Sequence, residues 1–585
     1  MVHEASPPDV LVRPFGAAGS AQVPAPQPAP HGQPEAAWIS RPATPIAGAA
    51  GGPLGGLRFA VKDNIDVAGL PTTAACPAFA YAPDAHATVV QRLLDAGASV
   101  AGKTNLDQFA CGLNGSRSPY GAVPNSFDAR YVSGGSSSGS AYAVATGQVD
   151  FSLGTDTAGS GRVPAGLNNI VGLKPSKGLI SAKGVVPAAQ SVDCVSIFAP
   201  TVALAARVLA CAMGPDAGDP YSRRLDLVRT PLPPAFRFGV PQPLEFHGDA
   251  LAAAAFERAV AQLRELGGEP VSVDYTPLAR AAGLLYDSAL VAERYAAVRP
   301  FFDAHEAEVI EPVRGILARG RSFDAADLVD AQTQLHALGQ QAAAMWAGID
   351  LLLVPTAPTH CTLDAMRAEP VRRNSELGHY TNFVNLLDYA ALSVPSSIRP
   401  DGLPFGVTFI GPCGSDFRLA ELGQRFHHAT GLPMGATGGP LPAPGAPVWP
   451  PLTEGEGMPI AVVGAHLTGM PLNHQLIARG ATLVEATTTA PHYRLYALPG
   501  TTPPKPGLQR EPGRGVPIAL EVWNVPRAEV GAFLAQIPPP LGLGSVELAD
   551  GRWVHSFICE AHALQGAEDV SAHGGWRAYI ASRNA

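Results

Sequence analysis

The chain has 585 residues, of which 46% are hydrophobic and only 15% charged, and its net charge is −9. This length and apolar content allow two to four domains with a large core, and they exclude a wholly disordered chain. The negative charge argues against a nucleic-acid-binding surface and against a basic membrane anchor. Seven scattered cysteines without a CxxC pair are typical of reduced thiols, and exclude a disulfide framework or a zinc site.

The first residues of the sequence predict no targeting signal. Residues 1–36 are rich in proline, alanine and glycine, which predicts a disordered arm. The first residues, MVHEASPPD, lack the basic and apolar regions of a signal peptide, and the chain contains no run of about 18 apolar residues. We therefore expect a cytoplasmic protein.

From residue 37 onwards, strand and helix patterns alternate. LRFAV at 57–61 is typical of a short buried strand, and it places Lys62 at the strand end. Residues 85–96 have helical periodicity, stop at Gly97 and lead into a strand at 99–101. This alternation predicts an α/β sheet flanked by helices. Further helices are predicted at 249–267, 277–305 and 323–347, and further buried strands at 350–354 and 405–411.

The composition changes near the end of this region. Residues 431–457 are rich in proline and glycine and predict a linker between a first domain at 37–430 and a last domain at 458–585. That domain is predicted to be mostly β. Its strand-like runs begin at Ile460, Ala481, Tyr493, Ile518 and Trp553.

A Gly/Ser-rich stretch at 133–164 is the most informative part of the chain. Two Gly/Ser turns, around Ser136 and Ser160, flank a run of small residues and an apolar strand-like run. Glycines allow positive φ and close backbone approach, so neighbouring N–H groups can point into one cavity. Such a group of amides suits an anion or a developing oxyanion.

Three segments together resemble the amidase signature family: FAVKDNID at 59–66, GGSS at 134–137 and LGTDTAGSGRVP at 153–164. The resemblance implies that Ser160 is the nucleophile, that Ser136 follows a cis peptide, and that Lys62 is the terminal base. The two serines are 24 residues apart (160 − 136), as the family pattern requires. Lysine can act as a base only when neutral, so its pKa must be lowered to roughly 7–8 by burial.

The same resemblance extends to the substrate side and implies a subgroup. The backbone N–H groups of Thr157, Ala158, Gly159 and Ser160 would form the oxyanion hole. The sequence AGSG at 158–161, the loop at 107–120 and the helix-like run at 285–295 resemble allophanate hydrolases. In that subgroup a Tyr and an Arg eight residues apart contact the anionic substrate. The residues carried over are Tyr286 and Arg294, predicted on one helix face, with Gly112 and Asn114 lining the same pocket.

Residues 462–476 resemble the start of the extra C-terminal domain of allophanate hydrolases, which is related in fold to the γ-glutamyl cyclotransferases. In the family that domain is associated with decarboxylation of the first product, N-carboxycarbamate, and His466 is the candidate for proton transfer. The resemblance implies no cofactor, no metal and a homodimer. It places the enzyme after a separate urea carboxylase, or at the end of triazine and biuret breakdown.

Other interpretations remain open from the residues alone. Residues 97–104 fit the P-loop pattern GxxxxGK[ST], but a helix precedes the motif and a strand lies within it, so the context is inverted. Residues 135–139 fit the nucleophile elbow GxSxG, which explains neither Lys62 nor the turn at Ser160. The functional alternatives are a general amidase, a protein like the A chain of glutamyl-tRNA amidotransferase, and an inactive scaffold.

Overall fold

The computed structural model describes residues 34–449 and 456–584. The predicted disordered arm therefore lies outside the described residues as far as residue 33, while Pro34–Ala37 form a 3₁₀ turn in which Ala36 and Ala37 are fully buried. The chain divides into two compact units between Val448 and Trp449, with Arg229–Pro231 belonging to the second unit. Within the described residues, no helix combines the length and apolarity needed to cross a membrane.

The first unit is built on a mixed sheet of 11 strands in the order β1-β3-β2-β4-β6-β5-β10-β11-β9-β7-β8. β2 is parallel to β3 and β4, β7 is parallel to β8 and β9, and the other neighbours are antiparallel. The strands are β1 (Trp38–Ser40), β2 (Arg58–Lys62), β3 (Ser99–Thr104), β4 (Phe151–Asp156), β5 (Val171–Lys174), β6 (Cys194–Ala199), β7 (Phe236–Gln242), β8 (Gly268–Asp274), β9 (Leu351–Pro355), β10 (Ala390–Ile398) and β11 (Pro404–Gly411).

Helices connect these strands and pack against the sheet and one another. The amphipathic helix predicted at 249–267 is α5, which starts where the Asp249 side chain accepts from the backbone N–H of Ala252. The helices of this unit are α1 (Thr88–Asp95), α2 (Ser138–Ala145), α3 (Val163–Leu167), α4 (Val202–Ala212), α5 (Ala250–Glu265), α6 (Thr276–Asp287), α7 (Ala292–His305), α8 (Val313–Arg319), α9 (Ala325–Ala343), α10 (Leu363–Ala368), α11 (Arg372–Leu377), α12 (Asn382–Leu386) and α13 (Asp416–Thr430).

The second unit is mostly β, as predicted. Its five-stranded sheet has the order β13-β16-β12-β18-β17, and a three-stranded sheet has the order β15-β14-β19. The core contains the fully buried Trp576 of the last helix. The elements are β12 (Gly457–Val462), α14 (Asn473–Ile477), β13 (Thr482–Thr488), β14 (Tyr493–Ala497), β15 (Pro506–Arg510), β16 (Ala519–Pro526), α15 (Arg527–Leu534), β17 (Leu541–Glu547), β18 (Trp553–Cys559), β19 (Glu568–Asp569) and α16 (Trp576–Asn584).

Two local expectations differ from the structure. The predicted helix region 277–305 is broken: α6 ends at Asp287, a short 3₁₀ turn covers Ala289–Val291, and α7 starts at Ala292. The break occurs because Ser288 has extended backbone and caps the turn by accepting from Leu290 N–H. Residues 431–449, predicted as linker, include a segment bound to the first unit, since the amide of Ala436 donates to the carbonyl of Ala145.

Candidate active site

The sheet topology places Lys62 beside the second Gly/Ser turn. β2 and β4 are parallel neighbours, so their carboxyl ends meet at one edge of the sheet. Lys62 is the last residue of β2, and Thr155 lies near the end of β4. The Lys62 Nζ atom lies 2.7 Å from Thr155 Oγ1 and 2.7 Å from Ser136 Oγ. The sheet therefore brings the lysine and the first serine together, as predicted.

The surroundings of Lys62 lower its pKa. The side chain is fully buried, and this desolvation lowers its pKa from 10.5 to about 7. The negative charges of Asp107, Asp193 and Asp156 oppose the shift, but none of them forms a direct ion pair with Nζ within the described chain. A lysine in this position is partly neutral near pH 7, the state in which it can accept a proton.

Ser136 lies in the tight turn that precedes α2. The Gly135–Ser136 peptide bond is cis, which agrees with the expectation from the family resemblance. Gly135 is required here because a Cβ atom would lie 2.1 Å from the Asp107 carboxylate and 2.6 Å from the Gly115 amide. The Ser137 hydroxyl donates to the carbonyl of Thr155 (3.1 Å), which ties this turn to β4.

Ser160 lies in the second turn, between β4 and α3, and is 2% exposed. A buried ion pair shapes this turn: Arg162 Nε donates to Asp156 Oδ2 (2.9 Å) and Nη2 donates to Oδ1 (3.0 Å). Burial acts to raise the pKa of Asp156, but the Arg162 charge and its hydrogen bonds outweigh burial and hold that pKa below its usual value. The Ser160 hydroxyl donates a long hydrogen bond to the Gly112 carbonyl (3.4 Å). Among the described residues, it is not hydrogen bonded to Ser136.

The four backbone amides predicted to form the oxyanion hole differ in whether they already donate a hydrogen bond. The Gly159 N–H donates to Asp156 Oδ1 (2.8 Å), so it is already engaged in holding the turn. Within residues 34–449, no hydrogen-bond acceptor is found for the amides of Thr157, Ala158 and Ser160. The free donors beside the Ser160 hydroxyl are therefore these three amides.

Tyr286 and Arg294 meet although they do not share one helix. Arg294, in α7, is 2% exposed, and its Nη2 donates to the hydroxyl of Tyr286, in α6, over 3.2 Å. The guanidinium also lies over the Tyr286 ring, 5.0 Å from its centre. The Nε and Nη1 atoms of Arg294 are buried without a hydrogen-bond partner among the described residues. The prediction of a common helix face is wrong, because the break after Asp287 separates the two helices.

The predicted pocket residues Gly112 and Asn114 lie in one loop with different contacts. The Gly112 carbonyl accepts from Ser160, whereas the Asn114 side chain donates to Asn374 Oδ1 (2.8 Å) and accepts from Ser116 Oγ (2.7 Å). Gly112 is therefore next to the second serine. Asn114 is used in holding the loop.

Asp193 is part of this region and was not predicted from the sequence. It is half-buried, and its Oδ1 accepts from the hydroxyl of Thr157 over 2.5 Å. Burial raises the pKa of Asp193 to about 6, against the opposing effects of Thr157, of two backbone amides and of the Arg294 charge. No motif marks Asp193, because the chain brings it to Thr157 only through the pairing of β4 with β6.

Lys103, the lysine of the P-loop pattern, is fully buried at the end of β3. Its Nζ forms an ion pair with Asp63 (3.2 Å) and donates to Thr72 Oγ1 (3.0 Å). A phosphate-binding lysine must be free to reach the ligand. The structure therefore excludes the P-loop interpretation for residues 97–104.

In the second unit, His466 lies in the loop after β12 and is 8% exposed. Its ring packs edge-on against Phe533, with 5.2 Å between ring centres. Burial lowers the pKa of His466, so the imidazole is neutral near pH 7. Nε2 lies 2.8 Å from Gln475 Oε1, which can only accept, so Nε2 carries the proton and Nδ1 holds the lone pair. His466 also lines a cavity with Lys505 and Gln536.

Comparison with family models identifies both units. Residues 35–420 match the amidase family model. The chain belongs to the amidase family. Residues 458–581 match the model of the allophanate hydrolase C-terminal domain, so the family core is followed by this second domain. Among solved structures, an allophanate hydrolase of Kluyveromyces lactis is similar with a TM-score of 0.82 and 43% identity, covering 94% of this chain and 94% of that one.

Relatives of known name match this chain over different lengths. The urea amidolyase of Lachancea kluyveri is 46% identical over 90% of this chain, and the chain spans only 30% of that protein's length. The A chain of the glutamyl-tRNA(Gln) amidotransferase of Halobacterium salinarum is 35% identical, over 63% of this chain and 94% of its own length. The K. lactis structure and the urea amidolyases thus match both units. The amidotransferase chain covers less of this protein.

Proposed function

We propose that this chain is an allophanate hydrolase, which hydrolyses the terminal amide of allophanate (urea-1-carboxylate) to release ammonia and N-carboxycarbamate. The observation that carries the proposal is the pairing of two features. A buried lysine with a pKa near 7 contacts the Ser136 hydroxyl, and a buried arginine that has no ion pair among the described residues lies in the same unit. The first feature suits amide hydrolysis, and the second suits an anionic substrate.

Proton transfer starts at Lys62. A neutral amine has two N–H donors and one lone pair. The donors match the hydroxyl of Thr155 at 2.7 Å and its carbonyl at 3.5 Å, which leaves the lone pair to accept from the Ser136 hydroxyl at 2.7 Å. In the reacting enzyme the Ser160 hydroxyl leaves the Gly112 carbonyl, to which it donates in this structure, and gives its proton to Ser136. Loss of this proton raises the nucleophilicity of the Ser160 oxygen.

Ser160 Oγ then attacks the carboxamide carbon and forms a tetrahedral oxyanion. The free amides of Thr157, Ala158 and Ser160 stabilise this charge, since fixed donors in a dry site need no reorganisation during the reaction. The intermediate collapses as the proton returns through Ser136 to the leaving nitrogen, which departs as ammonia. Water, activated by the same Ser136–Lys62 pair, hydrolyses the acyl-enzyme to N-carboxycarbamate and regenerates Ser160.

Arg294 and Tyr286 recognise the substrate carboxylate. The Nε and Nη1 atoms of Arg294 have no hydrogen-bond partner among the described residues, and Nη2 gives only one of its two N–H groups to Tyr286. The second N–H of Nη2, together with the neighbouring Nε or Nη1, can donate to the two oxygens of a carboxylate. Tyr286 holds the guanidinium through its hydroxyl at 3.2 Å and its ring face. Gly112 belongs to the same pocket through its contact with Ser160.

The second unit decarboxylates the first product. As N-carboxycarbamate loses carbon dioxide, its C–N bond breaks and the nitrogen must gain a proton to give carbamate. The Nδ1 lone pair of the neutral His466 takes this proton from water and passes it to the nitrogen. Carbamate then decomposes, so that one allophanate gives two ammonia and two carbon dioxide. No cofactor is needed for either step.

The substrate comes from urea carboxylation or from triazine and biuret breakdown. The urea amidolyase relatives favour the first source, and a urea carboxylase activity would be the functional partner. We further propose that the enzyme acts in the cytoplasm as a homodimer. The seven cysteines are all free thiols, which supports a reducing compartment.

The test is ammonia release by the purified chain from allophanate and from biuret, which has the same skeleton with an amide in place of the carboxylate. The proposal predicts that kcat/KM for allophanate exceeds that for biuret by at least about 100-fold. This ratio corresponds to the loss of one hydrogen-bonded pair of charged groups in the transition state. Equal or better hydrolysis of biuret and simple amides would overturn it. The chain would then be a general amidase or the A-like component of an amidotransferase.

A further inference from the structure

A second buried arginine, Arg117, lies near Tyr286 and has no role in the steps described above. It is 5% exposed, at the end of the 107–117 loop that also contains Gly112. The Asp107 carboxylate fixes this loop by accepting from the backbone amides of Arg117 (2.9 Å), Gly115 (3.1 Å) and Asn114 (3.2 Å). The carboxylate therefore holds the backbone, and the guanidinium projects from a rigid loop.

The Arg117 guanidinium has only neutral partners. Nη1 donates to the Cys111 carbonyl (2.9 Å) and Nη2 donates to the Pro370 carbonyl (2.7 Å). Nε is buried without a partner in the described part of the chain, and across those residues no carboxylate forms an ion pair with Arg117. Buried charges in proteins are normally paired, as Arg162 is with Asp156. Arg117 shares its unpaired state with Arg294.

Arg117 and Tyr286 together line a cavity of about 150 Å³. The cavity lies at the surface of the first unit, because its wall includes Val371, which is 57% exposed, and the exposed Ser375. Arg319 also lines it, and Asp287 contributes its one carboxylate, so the described wall carries more positive than negative charge. Burial raises the pKa of Tyr286, and the charges of both Arg294 and Arg117 oppose that rise. Tyr286 therefore lies within the electrostatic reach of two guanidinium groups.

We propose that Arg117 is the outer of two arginines that select an anionic substrate. A carboxylate-bearing amide binds first at Arg117, in this surface cavity, and its carboxylate then passes the Tyr286 ring to Arg294. This inference rests on the proposed function, since it concerns the same anionic substrate. A neutral amide gains less from either guanidinium than a carboxylate does, because it carries no charge. Arg117 therefore contributes to specificity and not to the chemical step.

The first test compares allophanate and biuret in Arg117→Gln, which keeps a polar side chain but removes the charge. The proposal predicts that kcat/KM for allophanate falls about 10- to 100-fold more than kcat/KM for biuret. Arg117→Lys should recover part of the difference because it restores the charge. Arg264→Gln, at an exposed position in α5, is the matched control and should change neither value. An equal loss of kcat/KM for both substrates would overturn the proposal. Arg117 would then serve only to hold the loop.

The second test does not depend on turnover. Malonate, a stable analogue of the dicarboxylate product, is titrated calorimetrically into Ser160→Ala and into Ser160→Ala/Arg117→Gln. The proposal predicts a dissociation constant raised at least about tenfold in the double variant. An unchanged constant would overturn it. Failure of the proposed function is distinguishable, since wild-type enzyme would then show no preference for allophanate over biuret, whatever malonate does.

Discussion

The candidate catalytic residues of the two units differ in charge and in surroundings. In the amidase unit, charged side chains such as Lys62, Asp156 and Arg162 are fully buried at or just beyond the carboxyl ends of β2 and β4. In the second unit, the candidate residue is the neutral His466, packed among apolar rings. Burial lowers the pKa of the lysine in the first setting, and it keeps the imidazole neutral in the second. The proposed amide hydrolysis and the proposed decarboxylation would therefore take place in different electrostatic environments.

The largest effect is expected from Lys62→Met, which removes the amine but keeps its length and apolar volume. Without the base, Ser136 cannot pass on a proton, and kcat/KM for allophanate should fall about 10³- to 10⁴-fold. The measurement is ammonia release at pH 8, with thermal unfolding as the control for folding. A loss below about tenfold would mean that Lys62 only holds the Ser136 turn.

The next largest effect is expected from breaking the buried ion pair of the second turn. Arg162→Met leaves Asp156 buried without its partner, so the free energy of unfolding of the first unit should fall by about 3–5 kcal/mol. Arg367→Met is the control, because the Arg367–Asp364 pair is highly exposed (66% and 91%). That variant should change the unfolding free energy by less than about 1 kcal/mol. Urea unfolding measures both, and similar values for the two variants would contradict the role given to burial.

The pH dependence of kcat/KM tests whether Lys62 acts as a neutral base. The pKa of Lys62 is about 7, so below that pH the protonated lysine cannot act as a base. The rate should fall about tenfold for each pH unit below 7 and level off above pH 8. Asp193, with a pKa raised to about 6, can add a second step on the acidic side. A profile that is flat between pH 6 and 8 would contradict a neutral lysine base.

Tyr286→Phe sharpens the assignment of substrate recognition. It removes the hydroxyl that accepts from Arg294 over 3.2 Å but keeps the ring under the guanidinium. We expect the KM for allophanate to rise about tenfold, with kcat changed less, because the bond positions the guanidinium for binding. A fall in kcat at constant KM would place Tyr286 in the chemical step instead.

The smallest effect on ammonia release is expected from a substitution in the second unit. His466→Asn should slow carbon dioxide release at least about tenfold relative to the first ammonia release, because only decarboxylation uses the imidazole. Parallel detection of both gases from allophanate measures the ratio. If both rates fall together, His466 acts on the amidase unit or on the fold.

Much of the architecture could be predicted from local patterns. The strand before Lys62, the helix start at Asp249 and most strands of the second unit follow from periodicity and capping residues. β17 was missed because its residues, LGLGSVE, contain two glycines and are mostly not buried, so it lacks a clean alternation. The break between α6 and α7 was missed because Ser288 interrupts an otherwise helical pattern.

The candidate site could be predicted only where a motif marks it. Lys62, Ser136 and Ser160 lie in family-like segments, and the structure places Lys62 against Ser136. The engagement of the Gly159 amide by Asp156 depends on the exact backbone conformation of the turn, which the motif does not give. The approach of Asp193 to Thr157 depends on a segment 36 residues away. Arg117 gives no sequence signal, because its missing counter-ion becomes visible only once the whole environment is known.

The most direct test of the central claim replaces one serine in each Gly/Ser turn region. Ser160→Ala removes the proposed nucleophile. Ser138→Ala, in the first turn of α2, removes a buried hydroxyl that has no hydrogen-bond partner among the described residues. With allophanate as substrate, the account predicts that ammonia release falls at least about 10⁴-fold in Ser160→Ala and less than about threefold in Ser138→Ala. Residual turnover above a hundredth of wild type in folded Ser160→Ala would contradict the account.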